Sequence, residues 1–378
     1  MRVVVAPDSF KGSIGAAEAA AALAAGWHGA RPGDEVVCLP LADGGEGTLQ
    51  VLAAADPAAR WHPVPVTGPG GGTVPSRWLE RRDETGYVEL AQASGLPLMA
   101  ALDPLGAQTT GTGELIAHAL DAGARRIVVA LGGSASTDGG TGALGALGAR
   151  FLDAAGQELA PGGAALGALA AADLTGLRPP PPGGVACLTD VRAPLLGPRG
   201  AAAVFGPQKG ADAAQVALLE AGLRRLARVL GGDPDAPGAG AAGGTGYGFA
   251  AAWGADITPG AAELGRIMGL DQELSRSDLV LTGEGRYDDT SGDGKITGSV
   301  LAAAARAGVP AALVAGVIAA DPPPGVVTVA LDTLAGGAGA AMASPGRWLR
   351  AAGRMLAQGQ GPPATGRPDQ AGPDAGHA

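Results

Sequence analysis

The predicted fold rests on a charged, glycine-spaced segment, Leu281-Thr-Gly-Glu-Gly-Arg-Tyr-Asp-Asp-Thr-Ser-Gly-Asp-Gly-Lys295. Residues 278–281 are mostly apolar and predict a short buried strand of a parallel sheet, whereas the Ala-rich residues 296–307 predict a helix. Open α/β sheets bind ligands beyond the carboxyl ends of their strands. We therefore expect a ligand site in the intervening loop, although a solvated charged loop would have the same composition. The loop carries Glu284, Arg286, Asp288, Asp289, Asp293 and Lys295.

Both ends of the chain show the same alternation of strand and helix. Residues 2–6 and 35–41 predict strands followed by helices to about residues 30 and 55, and residues 309–317 and 325–331 predict two later strands. From about residue 61 the segments become shorter and predict antiparallel strands, and residues 231–246 predict a flexible loop or a glycine-lined wall. We expect an α/β fold in which both chain ends form a doubly wound parallel-sheet domain and the middle forms an inserted second α/β domain with a mixed sheet. The predicted divisions are 1–62 plus 276–357 for the first domain, 63–275 for the second, and 358–378 for a disordered tail.

Composition excludes several classes of function. The 26 basic and 36 acidic residues give a net charge of −10, which argues against a nucleic-acid surface. The N-terminal segment is too short and too soon charged for a signal peptide, and the sequence contains no long apolar run typical of a membrane span. We expect a cytoplasmic protein that binds neither nucleic acid nor membrane.

The three lysines stand out because nearly every other basic residue is arginine. Lys11, Lys209 and Lys295 are the only lysines among 26 basic residues, and each lies in a loop beside glycine. A compact ammonium and a guanidinium are not interchangeable in anion binding. The lysines are therefore candidates for contacts to an anionic ligand.

A second glycine-rich loop follows the predicted strand 126–131. Its glycines flank Ser134, Ser136 and Asp138, so that backbone N–H groups and hydroxyls could surround an anion. A small-residue turn that allows close helix packing would have the same composition. A further carboxylate, Asp190, follows the predicted strand 184–189.

The residues in these loops favour phosphoryl transfer over other chemistry. The sequence has no Walker A motif and no Gly-x-Gly-x-x-Gly after its first strand, and none of its four histidines lies in a glycine-rich loop. Lys and Arg oppose the charge of a transferred phosphoryl group, carboxylates hold Mg²⁺, and an Asp can take the proton of the acceptor hydroxyl. The residues alone therefore predict an enzyme that handles phosphate.

Six ordered motifs stand out along the chain. They are Ala6-Pro-Asp-Ser-Phe-Lys-Gly-Ser13, Ala42-Asp-Gly-Gly-Glu-Gly-Thr48, Leu131-Gly-Gly-Ser-Ala-Ser-Thr-Asp-Gly-Gly140, Phe205-Gly-Pro-Gln-Lys-Gly-Ala211, Gly240-Ala-Ala-Gly-Gly-Thr-Gly246, and Leu281-Thr-Gly-Glu-Gly-Arg-x-Asp288 with Gly294-Lys295. Through these motifs the chain resembles the glycerate kinase type-1 family over nearly its whole length, up to about residue 356. The resemblance implies ATP-dependent phosphorylation of D-glycerate with Mg²⁺ on a two-domain α/β scaffold. The family usually has Gln in place of Thr290 and Asn in place of Ala193, and these two departures bear on contacts to the acid rather than on the reaction class.

Chemistry and the resemblance together assign expected roles to these loops. The catalytic candidates are Asp8, Lys11, Asp190, Arg286, Asp288 and Lys295. The candidates for binding substrate or phosphate are Ser9, Asp43, Gly44, Gly45, Glu46, Gly132, Gly133, Ser134, Ser136, Lys209, Gly283 and Glu284, and the metal candidates are Asp138 and Asp288. For Asp8 the alternative is a cap of the turn with Ser9, and for Asp43 and Glu46 it is a cap of the next helix.

We expect a glycerate kinase that uses ATP and Mg²⁺, with 2-phosphoglycerate the favoured product over 3-phosphoglycerate. The alternatives are a kinase of another small hydroxy acid, suggested by Thr290 and Ala193, and a non-catalytic sensor of acidic metabolites. The carboxylates of the loops argue against the sensor, because an anion binder has no use for so many negative charges. A homodimer is left open.

Overall fold

The computed structural model describes residues 1–292 and 295–359. The predicted tail lies outside these residues except for its first two positions, and so does Gly294 of the last motif. The strands are β1 (Arg2–Val5), β2 (Glu35–Cys38), β3 (Arg60–Thr67), β4 (Thr73–Glu80), β5 (Thr85–Glu89), β6 (Arg126–Ala130), β7 (Arg150–Leu152), β8 (Ala171–Asp173), β9 (Val185–Leu188), β10 (Asp256–Thr258), β11 (Leu279–Tyr287), β12 (Ala311–Ile318) and β13 (Val327–Ala330). The helices are α1 (Ala16–Ala30), α2 (Thr48–Ala55), α3 (Ala91–Ser94), α4 (Thr110–Asp121), α5 (Thr141–Ala146), α6 (Ala201–Phe205), α7 (Ala213–Leu230), α8 (Ala241–Trp253), α9 (Gly260–Ile267), α10 (Leu270–Leu274), α11 (Ile296–Ala307), α12 (Leu331–Ala335), α13 (Ala338–Ala343) and α14 (Pro345–Ala357).

The first sheet combines strands from both ends of the chain, as predicted. Its order is β13-β12-β11-β1-β2, and every neighbouring pair is parallel. Successive side chains of a strand point to opposite faces, and here both faces are covered. Val3 and Val5 belong to a core that includes residues of α1 and α14, whereas Val4 packs with residues of α9, α10 and α11 on the other face. The uninterrupted apolar run Val3–Val5, which follows Arg2 in β1, is explained by this double burial.

The second sheet is mixed. Its order is β10-β9-β6-β5-β4-β3, in which β10, β9, β6 and β5 are parallel and β4 and β3 are antiparallel to their neighbours. Its core is built mainly with α4, α5, α7 and α8. A separate two-stranded antiparallel pair consists of β7 and β8. The predicted fold class, a parallel sheet from both chain ends with an inserted mixed sheet, is confirmed.

The division of the chain into domains stays a prediction. Its first boundary, residue 62, falls inside β3, which belongs wholly to the second sheet. Leu270 and Leu274 were assigned to the inserted part, yet they pack with Val4 and Val280 of the first sheet.

The structure corrects one expectation about a glycine-rich segment and decides between two alternatives for another. Strand β11 does not end at Leu281 but continues to Tyr287, because β12 extends beside it and pairs with it as far as Ile318. Glu284 and Arg286 therefore lie in a strand rather than in a loop. The segment 231–246 includes the first residues of α8, of which Ala242, Gly243 and Gly244 have left-handed rather than helical φ and ψ. Gly243, Gly244 and Gly246 are buried, so the glycine-lined wall describes this part and the flexible loop does not.

Candidate active site

The predicted site lies where the first sheet reverses its strand order. From β1 the chain proceeds to β2 on one side, and from β11 it proceeds to β12 and β13 on the other. In open α/β sheets the crevice at such a switch point is where ligands bind. A cavity of about 300 Å³ occupies this position, between the residues that follow β1 and the end of β11. It is lined by Asp8, Ser9, Phe10, Lys11, Ser13, Asp43, Glu284, Gly285, Arg286, Asp288, Lys295, Gly316, Val317, Leu331, Ala338, Ala341, Met342 and Pro345.

Asp8 is held in the cavity by the backbone around it. Its N–H donates to the carbonyl oxygen of Gly283 in β11 at 2.8 Å, and its carboxylate accepts from the N–H of Ser9 at 2.6 Å. Burial is the main cause that raises the pKa of Asp8 to about 7, and the charge of Asp43 adds to it while Lys11 opposes it. The Ser9 contact fits the turn cap named as the alternative, but it leaves the carboxylate facing the cavity.

Two further carboxylates, Asp43 and Asp190, interact electrostatically with Asp8: Asp43 helps to raise the pKa of Asp8, and Asp8 helps to raise that of Asp190. Asp43 accepts from the N–H of Gly45 at 2.9 Å, and the Lys11 ammonium lies 3.8 Å from it. Burial raises the pKa of Asp190 to about 7, and the charges of Asp43 and Asp8 contribute to the rise. Both Asp190 oxygens lie 3.3 Å from the N–H of Ala261. Three loops thus bring three mutually repelling carboxylates together, with Lys11 beside them.

The end of β11 supplies a second group of charges to the cavity. Glu284 is only 7 % exposed, its Oε1 is buried without a hydrogen-bond partner among the described residues, and burial raises its pKa. Asp288 lies 3.7 Å from Arg286 and 3.8 Å from Lys295, and it accepts hydrogen bonds from the N–H and hydroxyl of Thr290. These hydrogen bonds, aided by the two cations, lower the pKa of Asp288.

The Ser134 loop and Lys209 form a separate cluster that does not line the cavity. Lys209 is 2 % exposed, and its ammonium donates to the Ser134 hydroxyl at 2.9 Å and to the carbonyl oxygen of Ser136. Burial lowers the pKa of Lys209 to about 8. The lysine is therefore bound to the loop itself, a placement that favours a role in holding the loop over a contact with a phosphate group.

The glycines of the predicted site bring the two loops together. The N–H of Gly132 donates to the carbonyl oxygen of Gly44 at 3.1 Å, and a Cβ at Gly132 would lie 2.4 Å from the Cα of Gly45. A side chain at this position would separate the Asp43 loop from the Ser134 loop. Gly133 has a φ of +79°, in the left-handed region that favours glycine.

Magnesium is the cation that the resemblance implies, and the carboxylates differ in how well they fit it. Asp138 fits poorly, because it is fully buried and its two oxygens already accept hydrogen bonds from Thr109, Gly140 and Gly142. The negative charge of Asp288 is already balanced by two neighbouring cations, Arg286 and Lys295. Asp43, which lines the cavity, and Asp190, which does not line it, fit better, because a cation between them would relieve the repulsion by which Asp43 adds to the raised pKa of Asp190.

Residues 1–292 and 295–359 contain no group of three or more His, Cys, Asp or Glu side chains arranged to hold a metal ion. This does not conflict with Mg²⁺, which usually takes one or two carboxylates and completes its shell with water and substrate phosphates.

Glu89 and the apolar side of the cavity were not predicted from the sequence. Glu89 ends β5, is 1 % exposed, and accepts from the N–H groups of Gly47 and Leu49 at 3.2 and 3.3 Å. It therefore fixes the loop that carries Asp43, whereas the predicted Glu46 is exposed and does not line the cavity. The only signal in the sequence was a glutamate in an otherwise uncharged strand.

Comparisons with known proteins all point to one family. A model of the glycerate kinase family matches residues 3–359. The chain is 42 % identical to the glycerate 2-kinase of Escherichia coli K12 over 78 % of its own length and 80 % of that protein, and 43 % identical to the glycerate kinase of Bacillus subtilis 168 over 85 % and 86 %. A crystal structure provisionally assigned as glycerate kinase 2 from Salmonella typhimurium LT2 superposes with a TM-score of 0.81 at 38 % identity, covering 95 % of this chain and 98 % of that one. Within the residues that the structure describes, no helix is both long and apolar enough to cross a membrane.

Proposed function

The chain belongs to the glycerate kinase family, and on that premise we propose that it transfers the γ-phosphate of ATP to the 2-hydroxyl of D-glycerate. The cavity at the switch point of the first sheet carries the proposal, because a carboxylate that can accept a proton and several cationic side chains line the same space. The preference for 2-phosphoglycerate is supported by the name of the Escherichia coli relative, which is a glycerate 2-kinase.

In the proposed reaction Asp8 accepts the proton of the acceptor hydroxyl. The hydroxyl oxygen then forms a bond to the γ-phosphorus, and the bond from that phosphorus to the β–γ bridging oxygen breaks, which releases ADP. Asp8 suits this role because it faces the cavity. Among the described residues, its carboxylate accepts a hydrogen bond only from the N–H of Ser9. A positioned general base of this kind typically contributes 10²–10⁴-fold to a rate.

The cations of the cavity would bind the anionic groups of the two substrates. Lys11 is 80 % exposed and Arg286 is 62 % exposed at the side chain, so both have room to reach a ligand. Lys295 donates to the hydroxyl of Thr290 at 2.6 Å and lies beside Asp288. Asp288 would keep Arg286 and Lys295 oriented toward the cavity, which replaces the metal role predicted for it.

A bound Mg²⁺ would neutralise charge on the phosphates of the donor. Asp43 and Asp190 are the residues that would hold it. Glu284 and Ser9 would contact the hydroxyls of the acid, because both line the cavity close to Asp8.

A second candidate is a kinase of another small hydroxy acid. The Thr290 hydroxyl bridges Asp288 and Lys295, at the position where the family usually carries the longer Gln. A different contact at this point would change which acid is oriented for transfer. The sensor without catalysis is disfavoured, since Asp8, Asp43 and Asp190 repel one another and an anion. The cytoplasmic location and a homodimer stay predictions.

Product analysis by ³¹P NMR after incubation with ATP, Mg²⁺ and D-glycerate tests the proposal. We expect the resonance of 2-phosphoglycerate. A product phosphorylated at the 3-hydroxyl would refute the regiochemistry, and turnover of a different hydroxy acid alone would favour the second candidate.

A further inference from the structure

The cavity has two unlike halves, and the reaction uses only one of them. The polar half holds the carboxylates and cations described above. The opposite half, which we call the apolar wall, is formed by Val317, Leu331, Ala338, Ala341, Met342 and Pro345. These residues come from the end of β12, the start of α12, helix α13 and the start of α14.

D-Glycerate cannot account for the apolar wall. It is a three-carbon acid with oxygen on every carbon, so it has almost no apolar surface to bury. Leu331 and Ala341 are already buried, but Met342 is 58 % exposed and Ala338 is exposed, and these two would stay in contact with water after the acid had bound among the charged groups. Removing apolar surface from water stabilises a complex by about 25 cal/mol per Å². The wall therefore fits a ligand with apolar faces.

The wall also contains backbone that can recognise the edge of such a ligand. The ladder between β12 and β13 ends with the pair Ala315–Ala330, although β12 itself continues to Ile318. Gly316 and Val317 line the cavity beyond that last pair. On the side of β12 that faces β13, these two residues have no strand partner within the described part of β13. Unpaired backbone N–H and C=O groups commonly fix the orientation of a small ligand in an apolar pocket.

We propose that the apolar wall holds the adenine base of the phosphate donor. The inference rests on the proposed function, because it places the base of the donor in the same cavity as its phosphates. A purine has two flat apolar faces and a hydrogen-bonding edge, which match the wall and the free stretch of β12. Met342, an unbranched thioether, can adapt to a flat ring. The triphosphate then runs from the wall toward Lys11, Arg286 and Lys295, and the acid lies beyond it near Asp8.

Two alanines of α13 give a matched pair of variants for the test. Ala338 lines the cavity, whereas Ala343 does not, and both are exposed. Ala338→Phe fills the space beside the wall, and Ala343→Phe makes the same change elsewhere on the helix. The binding of ADP and of inorganic tripolyphosphate, which has phosphates and no base, is measured by calorimetry with Mg²⁺ for all three proteins. Circular dichroism checks that the variants fold.

We expect Ala338→Phe to lower the affinity for ADP at least tenfold. The affinity for tripolyphosphate and the KM for D-glycerate should change by less than twofold. Ala343→Phe should leave all three values unchanged. Met342→Ala, which removes contact area without filling the cavity, should lower the affinity for ADP severalfold and leave the affinity for tripolyphosphate unchanged.

Unchanged affinity for ADP in Ala338→Phe would overturn the inference. An equal loss of affinity for ADP and for tripolyphosphate would overturn it as well. A rise confined to the KM of the acid would also overturn it and would assign the wall to the carbon chain of the acceptor. If the unaltered chain phosphorylates no hydroxy acid, the proposed function fails. The base site would stand in that case if ADP still binds and Ala338→Phe still weakens it.

Discussion

Replacing Glu89 by glutamine should stabilise the protein at alkaline pH and have little effect at acid pH. Glu89 is 1 % exposed, and burial raises its pKa from an ordinary value of 4.5 to about 7. Between these two pH values the folded chain holds a proton on Glu89 and the unfolded chain does not. The free energy of unfolding therefore falls as the pH rises through this interval.

The size of the effect follows from the two pKa values. One pKa unit corresponds to about 1.4 kcal/mol, so the ionised carboxylate lowers the free energy of unfolding by roughly 3 kcal/mol at pH 8 relative to pH 4. Glutamine keeps an oxygen to accept from Gly47 or Leu49 and carries no charge to desolvate. The variant should lack this part of the pH dependence.

Urea unfolding of both proteins at pH 4 and pH 8, followed by tryptophan fluorescence, measures the difference. Glu84→Gln is the control, because Glu84 precedes the same strand and its side chain is 61 % exposed. Surface changes of this kind usually stay within about 0.5 kcal/mol. A gain for Glu89→Gln that is equal at the two pH values would refute the reasoning, since a missing or altered hydrogen bond would then explain it without the charge.

Three substitutions test the roles assigned to the site by steady-state kinetics. Asp8→Asn should lower kcat by 10²–10⁴-fold, because an amide cannot take the proton of the acceptor hydroxyl; a loss below tenfold would remove Asp8 as the base. Lys295→Met should lower turnover by orders of magnitude with the fold intact by circular dichroism, and unchanged turnover would remove this lysine from the site. Lys209→Met should lower kcat at least tenfold, because it releases the Ser134 loop. The free energy of unfolding should change by less than about 2 kcal/mol, since the variant loses hydrogen bonds but no longer has to bury an ammonium group. Normal kcat in Lys209→Met would show that the loop does not depend on the lysine.

The parallel sheet could be predicted from the sequence because its strands are buried on both faces. Val3, Val4 and Val5 give an uninterrupted apolar run, and a helical segment follows, which together favour a doubly wound sheet. The end of β11 could not be predicted in this way. Its Gly283 and Gly285 suggest a loop, and only the length of the neighbouring strand β12 keeps the chain extended to Tyr287.

The roles predicted for the site residues stay predictions, and only some of the predicted charged residues line the cavity. Asp8, Asp43, Lys11 and Lys295 stand out as charged residues in glycine-rich loops, and all four line the cavity. The apolar wall could not be found, because Met342 and its small neighbours look like any apolar helix until the chain folds them over the cavity. Lys209 was recognised as unusual, but the sequence could not show that its ammonium is bound to the loop beside it.

Phosphoryl transfer from ATP to D-glycerate can be followed in a coupled assay of ADP release. The assay compares D-glycerate, L-glycerate and other small hydroxy acids, each with and without Mg²⁺, using the full chain. We predict metal-dependent ADP release with D-glycerate and little with its enantiomer. No ADP release with any acid, from protein shown to be folded by circular dichroism, would rule out the kinase function and would favour a sensor of acidic metabolites.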